Sequence, residues 1–211
     1  YILLLNPDTV VEEDTFSKTV SFMDAHADAG GLGVKMIDGI GRFLPESKRG
    51  LPTPEVAFYK IFGLSFLFPR SRRFGKYHLG FLDRDQVHRV DVLSGAFMLL
   101  RKSVLEQVGL LDEDFFMYGE DELWCYQFAE LGYKNYFLAD TSVIHLQNAS
   151  VEPAKQLRLL KTYIAHDMII MEYIRGRSLY YYLFGFIFKS KEMLRYYIKV
   201  IVYKLFKHRI R

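Results

Sequence analysis

The stretch Gly95 to Gly132, GAFMLLRKSVLEQVGLLDEDFFMYGEDELWCYQFAELG, constrains the chain more than any other. It sets an acidic turn, Tyr118-Gly119-Glu120-Asp121-Glu122, at the mouth of a helix-forming run. Carboxylates at that point lie where the unpaired N–H groups of a helix start, and its dipole, support negative charge. Trp124, Cys125, Phe128 and Leu131 follow Asp121 at three, four, seven and ten residues, the spacing of one helix face. Asp121 is therefore expected to begin the buried face, with Glu122 and Glu130 turned to water. Two readings stay open: the acid-rich wall of a pocket, or a capped, soluble helix end without chemistry.

Towards the front, Ile2 to Leu5 is continuously apolar and is ended by Asn6-Pro7-Asp8. This is the pattern of a buried parallel strand whose carboxyl end meets a loop. In open α/β sheets ligands gather outside such strand ends, so Asp8 is placed to face one; the alternative is a loop Asp forming an Asx turn after Pro7. The chain opens on this strand with neither an initiator Met nor the basic start and apolar run of a secretory signal. We expect natural sequence upstream of it.

Asp14 is expected to cap a helix reaching about Ala27, with Phe16, Val20 and Met23 inside and Glu12, Glu13, Lys18 and Asp24 outside. Gly31 to Ile37 reads as a strand, Asp38-Gly39 as a hairpin-type turn and Arg42-Phe43-Leu44 as its returning arm. Between Gly50 and Asp85 the pattern weakens: Pro52 and Pro54 break structure, Val56 to Phe68 is aromatic-rich, and Arg70, Arg72, Arg73 and Lys76 cluster. A stretch of this kind is a functional loop or a mobile flap. Its cations are either solvated or meet phosphate or lipid headgroups.

Val87 to Leu93 and Ala96 to Leu100 read as strands either side of Ser94-Gly95, and Ser103 as the cap of a short helix to Val108 that Gly109 ends. Gly132 stops the acidic helix. Lys134 to Leu138 and Ser142 to His145 then return as strands, the second ending in His145 as the first strand ends near Asp8. A lone His is usually structural, but this placement also suits a ligand.

Pro153 to Tyr173 has helical periodicity through Leu157, Leu160, Ile164, Met168 and Met171. The run Leu179 to Phe188 opens a second helical tract that reaches Phe206, too short an apolar run to span a bilayer, which needs about twenty residues. From Lys189 to Arg211 basic residues face a single acid, Glu192, beside an apolar face of Tyr197, Ile201 and Leu205. That is the make-up of an interfacial helix on anionic lipid, the alternative being a helix packed on the domain. Residues 179–211 are thus expected to hold the protein peripherally on the cytoplasmic face of the cell membrane.

A length of 211 residues allows one sizeable core with a small appendage, which divides the chain at about 1–150 and 151–211. The near-even balance of 28 basic and 25 acidic residues implies no general affinity for nucleic acid. A single cysteine, Cys125, excludes an internal disulfide and is compatible with a reducing compartment.

Four segments in this order, LLLNPDT, VDVLSGAFMLLRKSVLEQVGLLDEDFFMYGEDELW, LGYKNYFLADTSVIHL and NAS, resemble the family-2 glycosyltransferases, in particular bacterial rhamnosyltransferase-like members that build cell-surface polysaccharides. The likeness covers Tyr1 to about Ser150. It implies an α/β fold of GT-A (Rossmann-like) type, a mixed sheet flanked by helices, here incomplete at its N-terminus and followed by a C-terminal helical extension. It further implies inverting transfer from a nucleotide-sugar donor such as dTDP-rhamnose to a glycan or lipid-linked acceptor, with Mg²⁺ or Mn²⁺.

By the same resemblance Asp121 is the general base, Asp8 the metal and diphosphate residue with His145 joining it, and Asn6 the neighbour of Asp8 towards the sugar. Ser94-Gly95 either lets backbone approach the donor sugar or is a plain strand break. Glu120 belongs to the family's Glu-Asp pair on the acceptor side, and Trp124 either stacks on the acceptor sugar or belongs to the core. The chain departs from the family pattern at Leu123, where a second acid is common, at Gln127, where Arg is common, and at Asn148, where Gly is common. The rival readings are a glycoside hydrolase, which also uses two carboxylates, and an inactive membrane-surface scaffold without a nucleotide-binding half.

Overall fold

Lys134 to His145 contains no glycine or proline, and its twelve residues form the strand to which most of the sheet is bonded. A computed structural model describes residues 1–115 and 119–146 and, further on, residues 162, 165–166, 168–174, 176–179, 181–182, 185–186, 189–190, 193–194, 196–197 and 201. In chain order the elements are β1 (Ile2–Leu5), β2 (Thr9–Val11), α1 (Thr15–Ala25), β3 (Ala29–Ile37), α2 (Pro54–Ile61), α3 (Leu64–Leu67), β4 (His88–Val90), β5 (Phe97–Leu100), α4 (Lys102–Val108), α5 (Glu120–Glu130) and β6 (Lys134–His145). The strands make one mixed sheet in the order β1-β5-β3-β6-β2, with β4 also on β6. Among the described residues only β3 and β6 run parallel; every other strand pair is antiparallel.

The two strands expected at 134–138 and 142–145 are therefore one. Against β3 the register steps from Val34 opposite Leu138 to Lys35 opposite Ser142, so a bulge at Ala139–Thr141 absorbs the extra residues and the strand continues. The expected buried parallel strand at Ile2–Leu5 is corrected as well. β1 runs antiparallel to β5, ends the strand path, and leaves Ile2 and Leu5 each 41% exposed. Apolar continuity speaks to burial and leaves strand direction open.

α1 forms as expected but rolled about its axis. Thr15, Thr19 and Met23 are buried, whereas Phe16 is 49% and Val20 38% exposed. The inward hydroxyls explain this: Thr15 Oγ1 and Thr141 Oγ1 share a hydrogen bond of 2.7 Å, and Thr19 Oγ1 donates to Thr15 O at 2.8 Å. Asp14 stands at the N-cap without a side-chain cap bond and instead pairs with Lys18.

The alternation of β5 feeds two cores. Met98 and Leu100 join Leu93, Val104, Trp124, Phe128 and Phe137 on the side of α4 and α5, while Phe97 and Leu99 join Met23, Leu32, Met36 and Val143 on the side of α1. The turn at Asp38 closes as expected through Asp38 N–H to Arg42 O and Leu44 N–H to Met36 O. Gly109 and Gly132 end α4 and α5 with φ of 87° and 84°. Ser103 lies inside the first turn of α4 and caps nothing.

Residues 50–85 carry more structure than a flap. Thr53 Oγ1 accepts from Val56 N–H and Pro54 takes the first helical position, which starts α2. The excursion is fastened at its base: Lys48 Nζ donates to Leu79 O at 2.7 Å and Leu82 O at 3.1 Å, and Gly50 N–H to Tyr77 O at 3.0 Å. A Cβ at position 50 would stand 2.3 Å from Lys76 O, so glycine is needed for that approach. Lys48 is 2% exposed, and burial pulls its ammonium below the ordinary lysine range.

The chain divides into two compact units, Tyr1–Phe115 with Glu120–Asn148, and Phe116–Gly119 with Ala149–Arg211. In the second, Met168, Ile170 and Met171 are buried and Arg177 pairs with Glu172. Much of the expected helices at 153–173 and 179–206 lies outside the described residues. Among the described residues no helix is long and apolar enough to cross a membrane.

Replacing Thr15 by Val strands the buried Thr141 hydroxyl and should cost about 1–3 kcal/mol in urea unfolding. The double variant Thr15→Val/Thr141→Val should recover most of that loss. Additive losses would show that the hydroxyl pair does not set the roll of α1.

Candidate active site

Leu5 ends β1 opposite Phe97, and Pro7, lacking an N–H, stops further pairing. Asn6 N–H donates to Ala96 O at 3.0 Å, and the Thr9 N–H and hydroxyl close the turn on Asn6 O. Thr9 is the ladder partner of His145. The turn thereby brings Asp8 Oδ1 to 3.4 Å from His145 Nε2, while Asp8 O accepts from Leu146 N–H.

Ser94 and Gly95 immediately precede β5 at this same end of the sheet. Gly95 N–H donates to Asp121 Oδ2 at 3.2 Å, and Glu122 N–H donates to Asp121 Oδ1 at 2.9 Å. The remaining partner of Asp121 is a residue the sequence reading passed over. Arg49 Nη2 donates to Asp121 Oδ2 at 2.6 Å and to Leu93 O at 2.8 Å, and its Nη1 donates to Glu122 Oε1 at 2.7 Å. The three side chains are 13%, 14% and 9% exposed. Burial opposes the guanidinium charge, but the carboxylates of Asp121 and Glu122 outweigh it and hold Arg49 firmly protonated.

Glu122, expected in water, is thus a buried partner of Arg49, because one planar guanidinium can serve two carboxylates from successive residues. Leu131, expected inside, is 46% exposed. Trp124 is 5% exposed and stacks on Phe128 at 6.3 Å within the core, so the core alternative is the observed one and no ring face is offered to a sugar. Cys125 is fully buried, accepts Leu93 N–H on Sγ, and has its thiol pushed up by burial. The structure thus gathers Asn6, Asp8, Ser94, Gly95, Asp121 and His145 at one sheet end, with Glu120 opening α5, and leaves Trp124 out. A signal for Arg49 was present: three successive acids at a helix start call for a buried cation, and Arg49 sits between Lys48 and Gly50 ahead of two prolines.

Among the described residues no three His, Cys, Asp or Glu side chains converge. Asp8 and His145 alone fit a hard cation that takes few protein ligands, and their 3.4 Å separation is close to that of adjacent ligands on bonds of about 2.1 Å. His145 Nδ1 is buried with no hydrogen-bond partner among the described residues, and Nε2 is the ring nitrogen that faces Asp8. A shallow groove of about 410 Å³ lies elsewhere, between α1 and β6, lined by Lys18, Phe22, His26 and Asp140. It includes none of the expected site residues, so the site is located here by hydrogen bonds and strand pairing.

Residues 1–162 match the family described as Glycosyltransferase like family 2. The chain belongs to that family. It is also 29% identical, over 126 residues or 60% of its length, to the low-salt glycan biosynthesis hexosyltransferase Agl10 of Haloferax volcanii. That match spans 36% of the relative, about a third of its length. The mixed sheet flanked by helices agrees with a GT-A glycosyltransferase-like domain. In this family-2 domain the acidic helix start, the strand-end Asp8 and the strand-end His145 all fall within the matched residues.

Replacing Arg49 by Gln leaves two largely buried carboxylates without their cation, and urea unfolding should show a loss of about 3–5 kcal/mol. Arg49→Lys should recover only part of it, because an ammonium lacks the fork that spans both carboxylates. A neutral effect of Arg49→Gln would show that the pair is dispensable.

Proposed function

We propose that the protein containing this chain transfers a hexosyl group from a nucleotide-sugar donor to a glycan or lipid-linked acceptor, with inversion, in cell-surface polysaccharide synthesis. The observation that carries this reading is Asp121. It is a carboxylate in the first turn of a helix, held on Oδ2 by Arg49 and the Gly95 N–H, at the sheet end that also carries Asp8 and His145.

A sugar hydroxyl is a poor nucleophile at neutral pH. In the proposed step its proton passes to Asp121 while its oxygen bonds to the anomeric carbon. The bond from that carbon to the donor's phosphate oxygen breaks, and its electron pair leaves with the nucleoside diphosphate. Arg49 holds the Asp121 carboxylate in its orientation beforehand, which spares reorganisation during the reaction. Asp8 and His145 would hold Mg²⁺ or Mn²⁺, which when bound offsets the charge on the departing diphosphate. The Gly95 backbone, in contact with Asp121, would approach the donor sugar in this step.

The hexosyl unit is supported by the printed name of the Haloferax relative, and dTDP-rhamnose by the resemblance to rhamnosyltransferase-like members. The basic, aromatic composition of 179–211 supports peripheral attachment on the cytoplasmic side of a membrane, where a lipid-linked acceptor would be met.

In the full-length enzyme, Asp121→Asn should lower turnover about 10²–10⁴-fold in a donor-consumption assay while calorimetry still detects donor binding. Retained turnover would remove Asp121 from this role. Chelation should abolish transfer, added Mn²⁺ or Mg²⁺ should restore it, and Asp8→Asn should raise the metal concentration needed. Indifference to chelation would overturn the metal assignment.

A further inference from the structure

The excursion between Gly50 and Asp85 exposes a surface that holds none of the proposed site residues. No residue of α3 is fully buried: Phe66 is 86%, Leu67 64% and the following Phe68 51% exposed. Phe58, in the preceding helix, is 42% exposed. One helical turn of apolar residues is marginal in water, and such a patch ordinarily marks a binding surface.

The charge around the patch is mostly positive. Arg70, Arg72 and Lys76 follow α3 closely, and Lys60 and Arg73 flank it, while Glu55 is the one acid between residues 54 and 76. None of these five cations has a carboxylate within ion-pair distance among the described residues. Cations and apolar rings are physically joined. The Phe68 ring lies 5.7 Å from Phe74, the Arg73 guanidinium lies 5.6 Å from the same Phe74 ring, and Arg73 Nε donates to the Tyr59 hydroxyl.

We infer that α3 and the segment to Lys76 form a docking surface for an anionic lipid bilayer, with Phe66, Leu67 and Phe68 entering the interfacial layer and the flanking cations meeting lipid phosphates. Apolar residues rimmed by Lys and Arg are the composition that binds such interfaces. A water-facing protein partner would leave the unpaired positive charge uncompensated unless that partner were itself acidic. The surface is preformed, because its loop packs on itself: a Cβ on Gly75 or Gly80 would stand 2.1 or 2.3 Å from Pro69 O. It does not depend on the sugar-transfer reading.

Cys125, the single cysteine, is fully buried, so a cysteine placed at position 66 can be labelled alone. With an environment-sensitive dye on Phe66→Cys in the full chain, phosphatidylglycerol–phosphatidylcholine vesicles should shift emission to the blue. Bilayer-buried quenchers should then quench it, and phosphatidylcholine alone should do neither. Leu67→Cys should report the same. Arg70→Gln/Arg72→Gln should weaken binding about fivefold for each charge removed. The inference is overturned if the protein fails to bind anionic vesicles, or if it binds them with both dyes still in water, as docking through 179–211 alone would give. A lipid-free blue shift that grows with protein concentration would assign the surface to a second copy and equally overturn it.

Discussion

One guanidinium, between two carboxylates from successive residues, ties the parts of this domain together. Arg49 belongs to a segment before α2, Asp121 and Glu122 to the first turn of α5, and Leu93 O, its third acceptor, to the approach to β5. Burying one of these charges alone would be prohibitive, so each requires the others in place. The arrangement also explains why three successive acids are tolerated at one helix start. The dipole supports them only in part, and Arg49 compensates the two that turn inward.

Strand pairing then decides which residues meet that carboxylate. β1 and β5 run antiparallel and β3 and β6 parallel, so the end of β1, the beginning of β5 and the end of β6 coincide. Four short sequence features, Asn6-Pro7-Asp8, Ser94-Gly95, the acidic helix start and His145, come to the same end of the sheet for that reason. None is a site by itself. Their common address at one sheet end, together with the family match over residues 1–162, gives the proposed chemistry its footing.

Much of this address was legible in the chain. Pro7 ended one strand, the Ser94-Gly95 break preceded another, and Gly109 and Gly132 stopped two helices where a positive φ was needed. What was not legible depended on partners distant in sequence. The inner face of α1 was assigned by hydrophobicity to Phe16 and Val20, yet it is Thr15 that turns inward, because Thr141 supplies its hydrogen bond from 126 residues away. Glu122 was assigned to water by helical spacing, which carries no knowledge of Arg49. An apolar run looks alike beside a parallel or an antiparallel neighbour, so it does not carry the direction of β1.

The segment around Arg49 has a further consequence. Lys48 holds the carbonyls of Leu79 and Leu82, Arg49 holds Asp121, and Gly50 holds Tyr77, so three consecutive residues fasten the 54–82 excursion and the acidic helix to one point. Each bond satisfies a group that would otherwise be buried without a partner, and none can be moved without disturbing its neighbours. The position of Asp121 is therefore set relative to the base of the aromatic and basic excursion, within a single unit of the fold. Whatever surface that excursion settles on, the carboxylate is held at a fixed remove from it.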